Sequence, residues 1–211
     1  MWQIIKKEDE FDYLIDYPKN YETGKKYSVL IYLHGMGNVG KGVDRLATVC
    51  PVKRDRMSDD MPFIIVAPAC DEHNWIIVFE RLQNFISKII NSNYADKNRI
   101  YLCGSSMGGY TCWNLLIART DIFAASVICC GGGMYFDATR IKTPVIAVHG
   151  NLDTTVLPRE SVIMAEKINE NGGSAKLILH DDLSHDVWSK TFTDKKIYKW
   201  LLNKHLFLSE G

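Results

Sequence analysis

The stretch Gly104-Ser105-Ser106-Met107-Gly108 sets one serine between glycines two places before and two places after it. That spacing suits a nucleophile presented on a sharp turn between a strand and a helix, where side chains at the flanking positions would collide. Ser106 stands at the centre of the pattern. Ser105 has Cys103 and Met107 at the same offsets, so it fills the permissive middle position. With 15 glycines and 12 serines in 211 residues, about 0.06 matches to the pattern are expected by chance. A serine hydroxyl is a weak nucleophile at neutral pH. It needs a general base within hydrogen-bond reach and an acid that orients the base.

For a serine on such a turn the partners are expected in the order acid, then histidine, further along the chain. His149-Gly150-Asn151-Leu152-Asp153 offers Asp153 in a loop at the carboxyl end of a strand-like run. Leu183-Ser184-His185-Asp186-Val187-Trp188 offers His185 between the next such run and the last helix. Of the other histidines, His34 and His149 precede glycines at strand ends and read as structural, His73 comes before the turn, His180 ends a strand and His205 lies in the C-terminal helix. Asp181, Asp182 and Asp186 also lie near His185, but a residue adjacent to a histidine seldom points toward its ring, and Asp153 is the expected acid. A tetrahedral intermediate needs two backbone donors. Met107, after the nucleophile, supplies one. The turn Leu33-His34-Gly35-Met36-Gly37 supplies the other from Met36, with Gly35 as the alternative.

These residues must be carried on a scaffold. Strand-like runs occur at Tyr27 to Leu33, Pro62 to Ala67, Arg99 to Cys103, Ala124 to Cys129, Pro144 to Val148 and Ala175 to Leu179. They are mostly continuous rather than alternating, as in strands buried on both faces. Helix-like segments lie between them at Ile76 to Ile90, Ser106 to Ala118, Arg159 to Asn169 and Asp186 to Leu202. This alternation predicts an α/β fold with a mostly parallel sheet flanked by helices. Phe11 to Tyr17 is expected to add an antiparallel strand at one edge. Gly35 to about Asp60 is the longest loop, which leaves no room for a cap domain, and residues 1–211 are expected to form a single domain.

Apolar residues make up 46% of the chain and charged residues 24%, ordinary values for a globular protein. Lys and Arg number 25, as do Asp and Glu, and no basic stripe suggests nucleic acid as a partner. The N-terminus has no apolar core of a signal sequence and no run approaches a membrane span, so a cytoplasmic location is expected. Cys50, Cys70, Cys103, Cys112, Cys129 and Cys130 show neither a disulfide framework nor metal-ligand spacing, and free buried thiols are expected.

The segments YLHGMG, APACDEHNW, DKNRIYLCGSSMGGYTCW, HGNLDTTV and LSHDVW together resemble the α/β-hydrolase superfamily. More narrowly they are similar to the phospholipase/carboxylesterase and dienelactone-hydrolase-like esterases, a group often labelled predicted peptidases that approaches the polyhydroxybutyrate-depolymerase and feruloyl-esterase type. The resemblance runs from about Phe11 to Leu202 and implies a triad of Ser106, Asp153 and His185. It also implies that Trp75 borders the substrate pocket, although a tryptophan there equally suits the core. The group's second elbow position usually carries a larger apolar residue than Ser105.

The expected activity is hydrolysis of a small carboxylic ester, short or aromatic in its acyl group and possibly on a sugar, through an acyl-enzyme with no metal or organic cofactor. A serine peptidase or thioesterase on the same triad, and a binding module without activity, are the alternatives. The loops around Gly35 to Lys41, Cys70 to Trp75 and Asp153 to Pro158 would line an open cleft with Asn38, Asp71, Glu72, Asn74 and Thr154, a set suited to polar alcohols. If Asp153 orients the base, Asp153→Asn lowers kcat by about 10⁴ by favouring the wrong imidazole tautomer. Steady-state kinetics of Asp153→Asn beside Asp182→Asn and Asp186→Asn check this, and a larger loss in either of the latter reassigns the acid.

Overall fold

A computed structural model describes residues 2–7, 10–57 and 61–206. Two strands open the chain, β1 (Gln3–Ile5) and β2 (Tyr13–Asp16), before β3 (Tyr27–Leu33). A 3-10 turn at Met36–Asn38 leads to α1 (Gly42–Val49), and a second at Arg54–Arg56 precedes β4 (Phe63–Pro68). Then follow α2 (Phe79–Ile90), β5 (Ala95–Ser105), α3 (Met107–Ala118), β6 (Ala125–Cys129) and β7 (Val145–Gly150). The chain continues through α4 (Arg159–Glu170), β8 (Ala175–His180), α5 (Trp188–Thr191) and α6 (Lys195–Leu202).

All eight strands join one sheet in the order β1-β2-β4-β3-β5-β6-β7-β8. β1 and β2 run antiparallel at one side, and every pairing from β4 to β8 is parallel. The continuous apolar runs of the sequence are explained by burial on both faces. In β3, Val29, Ile31 and Leu33 face a core shared with Leu82 and Phe85 of α2, Leu115 of α3 and Ile168 of α4. Leu30 and Tyr32 face the opposite core, with Leu46 of α1 and Tyr198 and Leu201 of α6. Each large apolar side chain buried this way contributes about 1.5–3 kcal/mol, and the parallel strands bring their carboxyl ends to one edge of the sheet.

The structure departs from the sequence reading in three places. β2 is not the edge strand, because the short β1 pairs outside it; its three residues are partly or fully exposed and carry too weak an apolar pattern to announce a strand. The long loop after β3 contains α1, whose inward face is only Val43 and Leu46; residues 58–60 of that loop lie outside the described residues. The segment Asp186 to Leu202 is two helices, because Asp194 takes an extended conformation and its side chain caps α6 by accepting from the Lys196 amide.

Between α1 and β4 the chain is tied to the sheet by Arg54. Its Nε donates to Asp16 Oδ2 at 2.9 Å, and its terminal nitrogens donate to the Met61 and Phe63 carbonyls at 2.8 and 2.7 Å. At the far side, β7 ends in Gly150, where an added Cβ would overlap the Leu183 and Ser184 carbonyl oxygens. The loop after β8 therefore passes over β7 in contact that only glycine permits. Gly150→Ala should destabilise the protein by about 1–3 kcal/mol through overpacking. Thermal unfolding would show this as a Tm lowered by about 3–10 °C for a chain of this size.

Candidate active site

β5 enters the turn at Ser105 and α3 leaves it at Met107, with Ser106 between them at φ 54 and ψ −121. A non-glycine residue held at positive φ costs about 1–3 kcal/mol and persists only where its surroundings fix it. Here the Ser106 N–H donates to the Cys129 carbonyl, and the Ser106 carbonyl accepts from the Tyr110 N–H, each at 3.0 Å. A Cβ on Gly108 would overlap the Leu33 carbonyl oxygen, so this glycine lets α3 start directly against the end of β3.

The structure brings the three expected side chains into line. His185 Nε2 lies 2.9 Å from Ser106 Oγ, and His185 Nδ1 lies 2.7 Å from Asp153 Oδ2. An ionised carboxylate only accepts, so Nδ1 carries the hydrogen and Nε2 is left to receive the serine proton. Asp153 is 2% exposed. Its Oδ1 accepts from the Thr155 and Val156 amides at 2.8 and 3.0 Å. Burial alone would push the Asp153 carboxyl up; the hydrogen bonds from His185, Val156 and Thr155 outweigh it and hold the carboxyl below its ordinary value. The other acids near His185 are engaged elsewhere: Asp186 bonds the Ser189 amide and hydroxyl, Asp181 accepts from Asn151, and Asp182 faces Lys190.

His149 does more than close a strand. Its Nε2 donates to the Val156 carbonyl at 2.9 Å and sits 3.2 Å from Asp153 Oδ2, the oxygen that receives His185. Its Nδ1 is 2.7 Å from Ser161 Oγ. The carboxylate is thus gripped from the sheet side as well as by its own loop.

The Gly-rich turn after β3 lies against Ser106: a Cβ on Gly35 would come within 3.2 Å of the Ser106 Cβ. Met36 and Met107 are each the first residue of a helical turn, so neither amide has an acceptor within its own helix. His34 fixes this turn. Its Nε2 accepts from the Cys70 N–H at 2.9 Å, so the ring donates from Nδ1 to the Gly35 carbonyl at 2.8 Å. Trp75 corrects the sequence expectation. It is fully buried, packs on Phe11 and on the His34 ring, and donates its indole N–H to the His34 carbonyl at 3.0 Å. The indole buttresses the turn from behind instead of bordering the pocket.

A cavity of about 320 Å³ opens at Ser106 and His185. Its walls come from Tyr32, Val49, Pro51, Ser105 and Trp188, and its mouth from Met36, Gly37, Asn38 and Thr155. Of the polar loop residues expected there, Asn38 lines it. Asn74 is used in capping the Ile76 and Ile77 amides, and Asp71 pairs with Arg81 at a separate cavity. Trp188 was legible as the tryptophan of LSHDVW, three residues after His185; Tyr32 sits inside a continuous apolar run and gave no signal. Among the described residues, Cys130, Asp153 and His185 form the one group whose ligand atoms lie close enough to hold a metal ion, within 4.8 Å of one another. Asp153 and His185 are bonded to each other, and both Asp153 oxygens already accept hydrogen bonds, so neither residue is left to act as a ligand. The donor set does not fit a metal.

The sheet, its flanking helices and the strand-turn-helix that carries Ser106 define an α/β-hydrolase fold. A sequence profile of the dienelactone hydrolase family matches residues 69–195, and the chain belongs to that family. No curated protein matches it significantly. Among solved structures, a thermostable esterase superposes with a TM-score of 0.77 at 24% identity, over 97% of this chain and 63% of that one. The chain therefore spans less than two thirds of that esterase's length. Est1E from Butyrivibrio proteoclasticus gives a TM-score of 0.74 at 14% identity, covering 96% of this chain and 98% of its own. An acylaminoacyl peptidase from Pyrococcus horikoshii gives 0.72 at 16% identity, over 100% of this chain and 42% of the peptidase.

The His34 lock has a pH signature. Burial lowers the His34 pKa, against the opposing hydrogen bond to Gly35. A depressed folded-state value contributes stability that is present above the unfolded value of about 6.5 and is lost as pH falls through the folded one. The stability advantage of the native protein over His34→Gln should therefore shrink below about pH 6.5. Urea unfolding at pH 5 and pH 8 measures it; an advantage that grows in acid would refute the neutral, Nδ1-protonated ring.

Proposed function

We propose that this protein is a serine esterase that cleaves compact carboxylic esters through an acyl-enzyme, acting as one domain without a metal or organic cofactor. The observation that carries this reading is the unbroken line from Ser106 Oγ through His185 to the buried Asp153, at 2.9 and 2.7 Å. Ser106 Oγ attacks the ester carbon while His185 Nε2 takes its proton, and Asp153 stabilises the imidazolium that results. The amides of Met36 and Met107 receive the oxyanion. Collapse breaks the ester C–O bond, and the alcohol leaves with the proton from His185. Water then repeats the cycle on the acyl-enzyme and restores Ser106. The sum is ester plus water to acid plus alcohol.

The compact cavity and the lack of a cap insertion among the described residues support short or aromatic acyl groups. The same triad would serve an amide or a thioester, since all three pass through one kind of intermediate, and the likeness to a peptidase fold keeps the amide in view. A fluorophosphonate probe should label the wild type at Ser106 and leave Ser106→Ala unlabelled, with kcat in that variant lower by about 10⁴ to 10⁶. Acetyl and butyryl p-nitrophenyl esters should be hydrolysed faster than palmitoyl, and faster than the matched anilides. Values of kcat/KM rising steadily from two to sixteen acyl carbons, or absence of labelling, would overturn the proposal.

A further inference from the structure

The floor of the cavity at Ser106 is not apolar. Tyr32, the second-last residue of β3, reaches across to Ser105, the last residue of β5, and their hydroxyl oxygens lie 2.7 Å apart. The two residues are 2% and 3% exposed and both line the cavity. A pair of hydroxyls joined by one hydrogen bond uses one of its two hydrogens. Whichever oxygen donates, the other hydrogen has no acceptor among the described residues. The Tyr32 ring is held by its edge-to-face contact with Phe192, at 5.7 Å and 83°, so its hydroxyl is fixed in place. Burial keeps the phenol protonated, as a donor.

The rest of the lining limits what this hydrogen can meet. Val49, Pro51 and the indole of Trp188 supply apolar walls, and Trp188 stands edge-on to the His185 ring at 5.4 Å. Among the described residues no Lys, Arg, Asp or Glu lines the cavity, so a charged group seated there would lose its hydration without a counter-ion from them. A hydrocarbon seated there would leave a buried donor unsatisfied, which is the more expensive way to fill a polar floor.

We infer that the Tyr32 and Ser105 hydroxyls form a specificity subsite that selects esters carrying an uncharged oxygen acceptor, an ether, keto or hydroxyl oxygen, on the compact group seated beside Ser106. The inference rests on the serine esterase reading and adds to it a class of substrate: small oxygenated esters in preference to their hydrocarbon isosteres.

The test compares p-nitrophenyl pentanoate with its two isosteres in which an ether oxygen replaces carbon 3 or carbon 4. The same comparison is made with acetates of 1-pentanol and its ether analogues, so that both sides of the scissile bond are sampled. The readout is the kcat/KM ratio of ether to hydrocarbon, in the wild type against Tyr32→Phe, Ser105→Ala and the double variant. Electronic activation by the ether is common to all four proteins and cancels in that comparison. The wild-type ratio should exceed that of the double variant by about 10-fold at one oxygen position. A terminal carboxylate, as in the p-nitrophenyl monoester of succinic acid, should show no such gain. Ratios equal in all four proteins on both sides, or a larger gain for the carboxylate, would overturn the inference. Should the double variant fail to fold, Tyr32→Phe combined with Ser105→Cys, whose thiol is only a weak donor of similar size, reads the same ratio. Fluorophosphonate labelling of Ser106 is scored separately, so an active, labelled enzyme with equal ratios refutes the subsite and leaves the esterase reading intact.

Discussion

The backbone of Ser106 is the constraint on which the rest of the site is built. At φ 54 it occupies a region that disfavours any side chain, and it is held there by hydrogen bonds on both sides of the residue, to Cys129 and from Tyr110. Those bonds exist because β6 runs beside β5 in parallel register and because α3 begins immediately. The reward is geometric: the hydroxyl is presented between the end of β5 and the start of α3, within hydrogen-bond reach of His185, and α3 opens at Met107.

Around that fixed point, loops from the carboxyl ends of β3, β7 and β8 are locked by contacts that sit behind Ser106, Asp153 and His185. His34 and Trp75 hold the Gly-rich turn after β3 to the loop after β4. His149 and the Thr155 and Val156 amides hold Asp153. Close passage of the chain over Gly150 sets where His185 emerges. In the first two cases a buried polar group meets its hydrogen-bonding requirement through the loop it holds, and in the third the space left by a missing Cβ does the positioning. Tyr32 and Ser105 apply the same physics inside the cavity, where the last partner is left to the substrate.

What the sequence determined by itself was local and ordered. The Gly-x-Ser-x-Gly spacing singled out Ser106 because a tight turn excludes side chains at two particular offsets, and the continuous apolar runs announced strands buried on both faces. The order Ser106, Asp153, His185 along the chain identified three residues that the fold then places within hydrogen-bonding distance. Tertiary structure decided what depends on packing between distant segments. Trp75 reads alike as wall or core until its indole is seen against His34 and Phe11. Asp71 and Asn74 have the composition of a binding loop, yet their side chains are taken up by Arg81 and by the start of the following turn. Tyr32 is one residue of an apolar strand until β5 sets Ser105 opposite its hydroxyl. Spacing along the chain encodes turns and periodicity; which hydroxyl, ring or carboxylate faces a shared cavity is set by register between strands far apart in sequence, and that register arises only when the whole sheet assembles.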